Sequence, residues 1–135
     1  MYEDEIKFDQ FLFEMDDVLD VFIADAESEG VHLDYSLESL AGVEQILLSD
    51  ASDDLTLENR AARYVGEVFR RFAGGTWCLC QKGPKYLFDN LPVIEGHSSS
   101  PVEFCPISLV RLFKIRKRCG MIQKAIESNA NSSSS

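Results

Sequence analysis

The sequence predicts an α+β fold in which N-terminal helices pack on one face of a small antiparallel sheet and a C-terminal helix follows. Three observations support this prediction. Apolar residues recur every three or four positions in the first half, alternate along short segments after Gly75, and return to the helical period after Pro106. The 135 residues fit one domain. We expect this domain to span residues 1–128, with a polar, flexible tail over 129–135.

The first predicted helix has nine apolar residues on one face, and Glu27, Glu29 and Gly30 close it. The nine apolar residues are Phe8, Phe11, Leu12, Met15, Val18, Leu19, Phe22, Ile23 and Ala26. Gly30 fits the left-handed position at which helices often end. Phe13 and Val21 lie off the apolar stripe, so we expect them to meet a second packing surface.

Two further helices are predicted before the sheet. Ser36 fits an N-cap for a helix over about 37–48, and Thr56 opens a helix that runs to about Phe72 and ends at Gly74-Gly75. The apolar face of this third helix comprises Ala61, Tyr64, Val65, Val68, Phe69 and Phe72. Its solvent side is predicted to carry mostly Arg60, Arg63, Glu67, Arg70 and Arg71.

The segment after Gly75 changes to a period of two. Residues 76–81 alternate and predict a strand, and shorter strands are predicted at residues 86–88, 91–94 and 102–104. Pro106 then fits the first turn of a final helix, which Gly120 is expected to break or kink. The apolar side of this last helix comprises Leu109, Leu112, Phe113, Ile115, Cys119, Ile122 and Ile126.

Charge is divided unevenly along the chain. Residues 1–60 contain 18 Asp and Glu against Lys7 and Arg60, whereas residues 61–135 contain 5 Asp and Glu against 11 Lys and Arg. The net charge of −10 argues against nucleic acid as a ligand, since phosphates repel an acidic surface. Intramolecular pairing is expected for the basic cluster of the last helix: Arg111, Lys114, Arg116, Lys117, Arg118 and Lys124.

The location of the protein is predicted from its N-terminus and its hydropathy. Residues 1–5 are acidic where a secretion signal carries basic residues, and no apolar run reaches the ~18 residues of a membrane span. We therefore expect a cytoplasmic protein without membrane association. The four cysteines, Cys78, Cys80, Cys105 and Cys119, are then expected to be reduced thiols.

The sequence offers few groups for metal or catalytic chemistry. Cys78 and Cys80 share one face of the predicted strand and, with Cys105 and His97, offer four zinc ligands in principle. The single residue between Cys78 and Cys80 does not match the usual zinc knuckle, so core thiols are the favoured interpretation. His97 lies in a Gly- and Ser-rich turn without a nucleophile elbow. No metal, cofactor or catalytic residue is predicted.

The second half of the chain carries a motif that resembles a known group. Residues 62–71 with Gly74-Gly75-Thr76-Trp77 are similar to a "YLGEV-(I/L)-R" helix followed by a "GG-x-W" strand. Pro106, Val110, Lys117, Arg118 and Gly120 match a following "P…V…KR…G" helix. This pattern resembles a family of small uncharacterised bacterial domains. The resemblance implies an immunity or accessory protein of a bacterial toxin system and no known catalysis.

Three functions follow from these features. The leading hypothesis is a non-catalytic immunity protein that binds and blocks a basic toxin or effector through an acidic surface. Its predicted contact residues are Asp16, Asp17, Asp20, Asp25, Glu27, Glu29, Asp50, Asp53 and Asp54. The alternative is an adaptor that binds a secreted effector or peptide through an apolar surface. A third hypothesis is an enzyme with Cys78 or Cys80 as nucleophile, which requires a depressed thiol pKa and a nearby base.

Overall fold

The computed structural model describes residues 2–50, 54–96 and 103–130. Within these ranges the chain forms six helices and one two-stranded antiparallel sheet, which confirms the predicted α+β class. The elements are α1 (Tyr2–Phe13), α2 (Met15–Ser28), α3 (Leu40–Ser49), α4 (Leu55–Ala73), β1 (Thr76–Leu79), β2 (Pro92–Glu95), α5 (Pro106–Arg116) and α6 (Met121–Ala130). None of the helices in the described part of the chain has the length and apolar character needed to cross a membrane.

The first predicted helix is two helices, α1 and α2, separated at Glu14. Helical hydrogen bonds continue on both sides of this residue, from Glu14 N to Gln10 O at 3.0 Å and from Val18 N to Glu14 O at 2.9 Å. The prediction of a left-handed cap at Gly30 is confirmed by its φ of 81°. Val31 N donates to Ala26 O at 2.9 Å, which completes a Schellman-type end of α2.

The second helix begins three residues later than predicted, at Leu40. Ser36 caps a separate turn that precedes it, because its Oγ accepts from Ser39 N at 3.1 Å and its carbonyl accepts from Ser39 Oγ at 2.6 Å. The capping chemistry at Ser36 is therefore present, but it stabilises a turn. The regular helix starts only after this turn.

Helix α4 is the centre of the fold and packs against α2, α3, α5 and α6. Asp54 caps its N-terminus by accepting from Thr56 N at 3.0 Å and Leu57 N at 3.3 Å. Because neighbours surround α4, its burial is not confined to one stripe, and two sequence predictions are wrong. Arg63, expected on the solvent side, is 4% exposed, and Phe72, expected on the apolar face, is 47% exposed.

The sheet pairs β1 with β2 in the register Thr76↔Glu95 to Leu79↔Pro92. The predicted strands at 76–81 and 91–94 are thus confirmed, with shifted ends. Phe104 adds a single bridge to Ile94, with reciprocal backbone bonds of 2.8 and 3.0 Å, while Val102 lies outside the described residues. The prediction of a strand at 86–88 is wrong, because backbone bonds from Tyr86 N to Gly83 O and from Asp89 N to Tyr86 O fold this segment into turns.

The predicted C-terminal helix is also two helices. Pro106 occupies the first turn of α5 as predicted, and α5 ends at Lys117, whose φ of 54° is left-handed. Gly120, with φ of 88°, then precedes α6 and confirms the predicted break. The buried face of α5 is formed by Pro106, Val110 and Phe113, and Ile115 lies off it. Ile115 is therefore 78% exposed, contrary to its prediction as an apolar-face residue. Leu112 and Cys119 are exposed as well, whereas Val110 is fully buried.

The C-terminal boundary of the fold differs from the prediction by two residues. Helix α6 continues through Ala130, and the Asn129 side chain donates to Ala125 O at 2.8 Å. The first two residues of the expected tail are therefore helical. Residues 131–135 lie outside the described ranges.

Candidate protein-binding surface

Helix α2 and its C-cap, Glu29, carry six of the nine predicted contact residues. Helix α2 buries Met15, Leu19, Phe22 and Ala26, so the helical period turns its carboxylates outward. We define the acidic face as the six exposed residues Asp16, Asp17, Asp20, Asp25, Glu27 and Glu29. A single rigid helix and its cap thus present all six charges.

The acidic face is only slightly neutralised by the rest of the protein. Asp25 lies 3.9 Å from Arg60, and Glu27 lies 3.2 Å from Nδ1 of His32, which is itself largely exposed. Asp16, Asp17 and Asp20 form no ion pair with any residue of the described ranges. The negative potential of this face is therefore directed into solvent.

The other three predicted contact residues are placed differently. Asp50 lies 3.2 Å from Lys114 Nζ, and both side chains are mostly buried, so this pair links the end of α3 to α5. Asp54 is exposed, but one of its oxygens already caps α4. Asp53 lies outside the described residues.

A cavity of about 420 Å³ opens beside the C-terminal end of α2. Its polar rim includes Asp25, Glu29 and Asp50 from the predicted set, together with Arg60. Its apolar walls include Phe22, Ala26, Ile46 and Leu57. The fold thus brings together carboxylates from α2 and α3 around an apolar floor, an arrangement suited to a long cationic side chain.

Tyr35 is a surface residue that the sequence did not indicate. It adopts a left-handed backbone (φ 65°), which is uncommon for a residue other than glycine and is held here by a hydrogen bond from Tyr35 N to the Tyr64 hydroxyl at 2.7 Å. Its ring stacks on Tyr64, with centroids 5.0 Å apart, and the Arg71 guanidinium lies 3.7 Å from the ring centroid.

Tyr35 borders the acidic face. Burial raises the pKa of Tyr35; Arg71 opposes this shift, and the carboxylates of Glu67, Asp20 and Asp16 add to it. Tyrosine and arginine are common energetic centres of protein interfaces. Tyr35 and Arg71 are 36 positions apart in the sequence, so only their contact in the fold identifies this pair.

Two apolar side chains extend the same region. Phe13, the last residue of α1, is 83% exposed, and Val21 on α2 is 47% exposed. Both residues lie off the main apolar stripe as predicted, but the prediction that they meet a second packing surface is wrong for the described part of the chain. Within the described part of the chain they remain open to solvent, so the surface around α2 offers apolar contacts as well as charge.

Three of the four cysteines converge at the sheet. Cys80 and Cys105 are buried around Val93, and half-buried Cys78 packs against them. Burial raises the pKa of Cys78 to about 11 and also raises the pKa of the Cys80 and Cys105 thiols. These thiols therefore stay protonated near neutral pH, which is unfavourable for a thiolate nucleophile.

No group of three or more His, Cys, Asp or Glu residues in the described ranges has an arrangement that could hold a metal ion. His97, the predicted fourth member of the cysteine group, lies outside those ranges. The cysteine cluster of Cys78, Cys80 and Cys105 is accounted for by packing.

Part of the predicted basic cluster is used inside the protein, as expected. Arg111 lies 3.6 Å from Glu58, and Lys114 pairs with Asp50. Arg116, Lys117 and Arg118 are exposed at the turn between α5 and α6. The intramolecular pairs connect the acidic and basic halves of the sequence without reaching the acidic face.

Comparison of the chain with protein-family models, with curated proteins and with solved structures finds no significant match. Function is therefore argued from the surface itself.

Proposed function

We propose that this protein is a cytoplasmic, non-catalytic immunity-type protein that binds and blocks a basic toxin or effector through the acidic face. The observation that carries the proposal is a set of three exposed carboxylates on α2, Asp16, Asp17 and Asp20, that form no ion pair within the described part of the chain. Such a surface accelerates association with a positively charged partner and favours it over other partners. The resemblance of the second half of the chain to immunity-like domains suggests a toxin as that partner.

The positions of the internal cations support this proposal. Lys82 pairs with Glu103 at 2.7 Å, Arg70 with Glu67 at 3.0 Å, and Lys114 with Asp50 at 3.2 Å. None of these pairs involves Asp16, Asp17 or Asp20. The fold thus pairs acidic residues at other positions and leaves Asp16, Asp17 and Asp20 for an external cation.

The distribution of charge along α2 supports it as well. Asp25, Glu27 and Glu29 lie at or next to the C-terminal end of the helix, whose last turn has no basic residue. The C-terminus carries the negative end of the helix macrodipole, so acidic residues there destabilise the free protein. A local arrangement that costs stability is typical of a functional surface, and a bound cationic group would relieve this repulsion.

The test starts from a tagged pull-down out of the source-cell lysate at low and high salt, with mass spectrometry of the eluted proteins. We expect a basic protein that is lost at high salt. The captured basic protein is then purified and titrated against the wild type and against the triple variant Asp16→Lys, Asp17→Lys, Asp20→Lys. We expect the triple variant to bind about tenfold more weakly or worse at low salt, with a smaller loss at high salt.

The matched control reverses three exposed carboxylates outside the acidic face, Asp9, Glu38 and Glu95. Both variants change the net charge by the same amount, so a difference between them reports position. Circular dichroism and thermal unfolding confirm that each variant is folded. Equal affinity of the wild type and the α2 variant would disprove the acidic-face proposal.

The second candidate function is an adaptor that binds a peptide or effector through apolar contacts. Exposed Phe13 and Val21 favour it. Phe13→Ser should then abolish binding that survives high salt, while the α2 charge variant should not.

The third hypothesis, a cysteine enzyme, requires rapid thiol labelling of Cys78 or Cys80 in the native protein. The raised pKa of both thiols leads us to expect slow labelling.

A further inference from the structure

A second cavity, of about 300 Å³, lies between α1, α4 and the sheet and contains none of the residues of the acidic face. Its apolar walls are formed by Phe8, Phe11, Leu79, Pro92 and Ile107. Its polar lining consists of Asp4, Lys7, Gln10, Glu14, Asn59, Arg63 and Asn90. Concave sites that combine apolar walls with fixed polar groups are typical places for small molecules to bind.

Arg63 is the buried charge of this cavity, with a side chain only 5% exposed. Its Nε donates to Asn59 Oδ1 at 2.8 Å, and its Nη1 donates to the Phe11 carbonyl at 2.6 Å. The guanidinium carbon lies 4.1 Å from the centroid of the Phe11 ring. Nη1 also lies 4.0 Å from Met15 Sδ. These contacts fix the orientation of the guanidinium, but all three acceptors are neutral.

The positive charge of Arg63 is incompletely compensated. The closest carboxylate oxygen in the described residues, Glu14 Oε2, is 4.0 Å from Nη2, beyond hydrogen-bond distance. Glu14 is 44% exposed, and its other oxygen accepts from Gln10 Nε2. Nη2 therefore has no hydrogen-bond acceptor among the described residues. Burial lowers the pKa of Arg63, although Glu14 opposes this shift.

A buried guanidinium without a close anion is unfavourable, because the charge has left water and gained no equivalent partner. Arginine remains charged in proteins, so a proton cannot leave to relieve this cost. An anion bound in the cavity would relieve it. A carboxylate is the matching group, since its two oxygens fit the N–H donors of a guanidinium.

We propose that this cavity binds a small organic carboxylate, with the carboxylate at Arg63 and an apolar body between the aromatic and aliphatic walls. Phe8, Phe11 and Ile107 supply contacts for that body. Asp4 and Glu14 balance the charges of Lys7 and Arg63 in the cavity lining, so a doubly charged anion such as phosphate is disfavoured relative to a monocarboxylate. This site goes beyond the proposed function, since it uses other residues and a different class of ligand.

The first experiment titrates the 15N-labelled protein with benzoate, with its neutral counterpart benzamide, and with inorganic phosphate. Benzoate is expected to bind and to shift the backbone amide signals of Phe8, Arg63 and Ile107, while the acidic face is unaffected. Benzamide and phosphate are expected to bind at least about tenfold more weakly, the loss that corresponds to one charge-assisted hydrogen bond. Equal binding of benzoate and benzamide, or no binding of benzoate, would overturn the proposal.

The second experiment supplies the missing anion from the protein itself. Asn59→Asp places a carboxylate at the position that is now 2.8 Å from Arg63 Nε, so benzoate affinity should fall about tenfold or more. Gln45→Glu adds the same charge at an exposed position outside the cavity and should leave the affinity unchanged. Arg63→Met, if folded, should abolish binding. Unchanged benzoate affinity in Asn59→Asp would contradict the site.

Discussion

Gly66 and Trp77 form a close contact between α4 and the sheet. A Cβ atom on Gly66 would lie 2.3 Å from Cζ2 of Trp77, so only glycine permits this approach. Trp77 is 7% exposed and donates from its indole nitrogen to Glu67 at 2.7 Å. The role of both residues here is to join the helix to the strand.

Glu103 is a buried carboxylate that holds the loop between the strands. It accepts from Lys82 Nζ and from the Tyr86 hydroxyl, each at 2.7 Å. Burial alone would raise the pKa of Glu103, but the hydrogen bonds from Lys82 and Tyr86 outweigh it and keep the pKa below its ordinary value. A depressed carboxyl pKa means that ionised Glu103 stabilises the folded state.

We therefore expect Glu103→Gln to lower the free energy of unfolding at neutral pH by about 1–3 kcal/mol, as for loss of a hydrogen-bonded buried charge. The contribution of Glu103 is fully present above the ordinary glutamate pKa and is lost as the pH falls through the lower folded value. The difference between wild type and variant should thus shrink below about pH 4. Urea unfolding at several pH values measures it, with Glu38→Gln, an exposed carboxyl, as the control. A difference independent of pH would contradict this role.

At the scale of elements, α2 has a well-buried apolar face but an unfavourable distribution of charge along its axis. Asp16 and Asp17 in the first turn are favourable for the helix macrodipole, whereas Asp25, Glu27 and Glu29 at the other end are unfavourable. The helix forms nonetheless because Leu19, Phe22 and Ala26 are buried and because Gly30 ends it with a Schellman-type turn. Packing thus stabilises an element whose surface is not optimised for stability.

We expect Glu29→Lys to stabilise the free protein by about 0.3–1 kcal/mol, because a cation replaces an anion at the C-terminus of α2. Glu29→Gln should give a smaller gain, since it removes the repulsion without adding an attraction. Urea unfolding at low ionic strength measures both changes. If the acidic face binds a basic partner, the same Lys variant also weakens that binding. Loss of stability in Glu29→Lys would show that Glu29 has a favourable local contact and is not under electrostatic strain.

At the scale of the molecule, the net charge of −10 is concentrated on the first 60 residues. Contacts between the halves, such as Arg111 with Glu58 and Lys114 with Asp50, offset part of it. The remaining charge of the acidic face repels itself and is screened by salt. Electrostatic interactions therefore have two opposite effects on stability. Ion pairs between the two halves of the sequence stabilise the fold, and repulsion among the carboxylates of α2 destabilises it.

We expect the melting temperature of the wild type to rise between about 10 and 200 mM NaCl, over which the Debye length falls from about 30 to below 8 Å. The rise should be smaller in the Asp16→Lys, Asp17→Lys, Asp20→Lys variant, because much of the repulsion along α2 has been removed. Differential scanning calorimetry at fixed pH measures both. A fall in melting temperature with salt would mean that screened attractions outweigh the repulsion.

The order of elements was predictable from local patterns, but their boundaries were not. The apolar period predicted α1 and α2 as one helix. It gives no sign of the interruption at Glu14, because helical hydrogen bonds continue on both sides of this residue. It also merged α5 with α6. These two helices separate at Lys117, whose left-handed backbone conformation cannot be inferred from the residue type. The segment at 86–88 has β-forming residues, yet the loop bonds to Glu103 and the turns at Gly83 and Tyr86 decide its shape.

The candidate surface was predictable in part. The exposure of Asp16, Asp17 and Asp20 follows from a 3.6-residue period and a one-sided apolar stripe, both of which are local properties. The pairing of Asp50 with Lys114, 64 positions away, and the stacking of Arg71 on Tyr35 depend on which elements meet in space. No local pattern carries that information.

The sequence by itself determined the α+β class, the long apolar helix with its glycine end, the two strands that follow it and an acidic first half, since these depend on periodicity, turn chemistry and charge counts. The pairing of the strands came from the fold. The tertiary structure alone decided which charges are buried or paired. Arg63 has the local pattern of a solvent-facing residue, but the packing of α1 against α4 places it in a cavity against Phe11. Burial is a property of neighbours that are distant in the chain, and for that reason it required the fold.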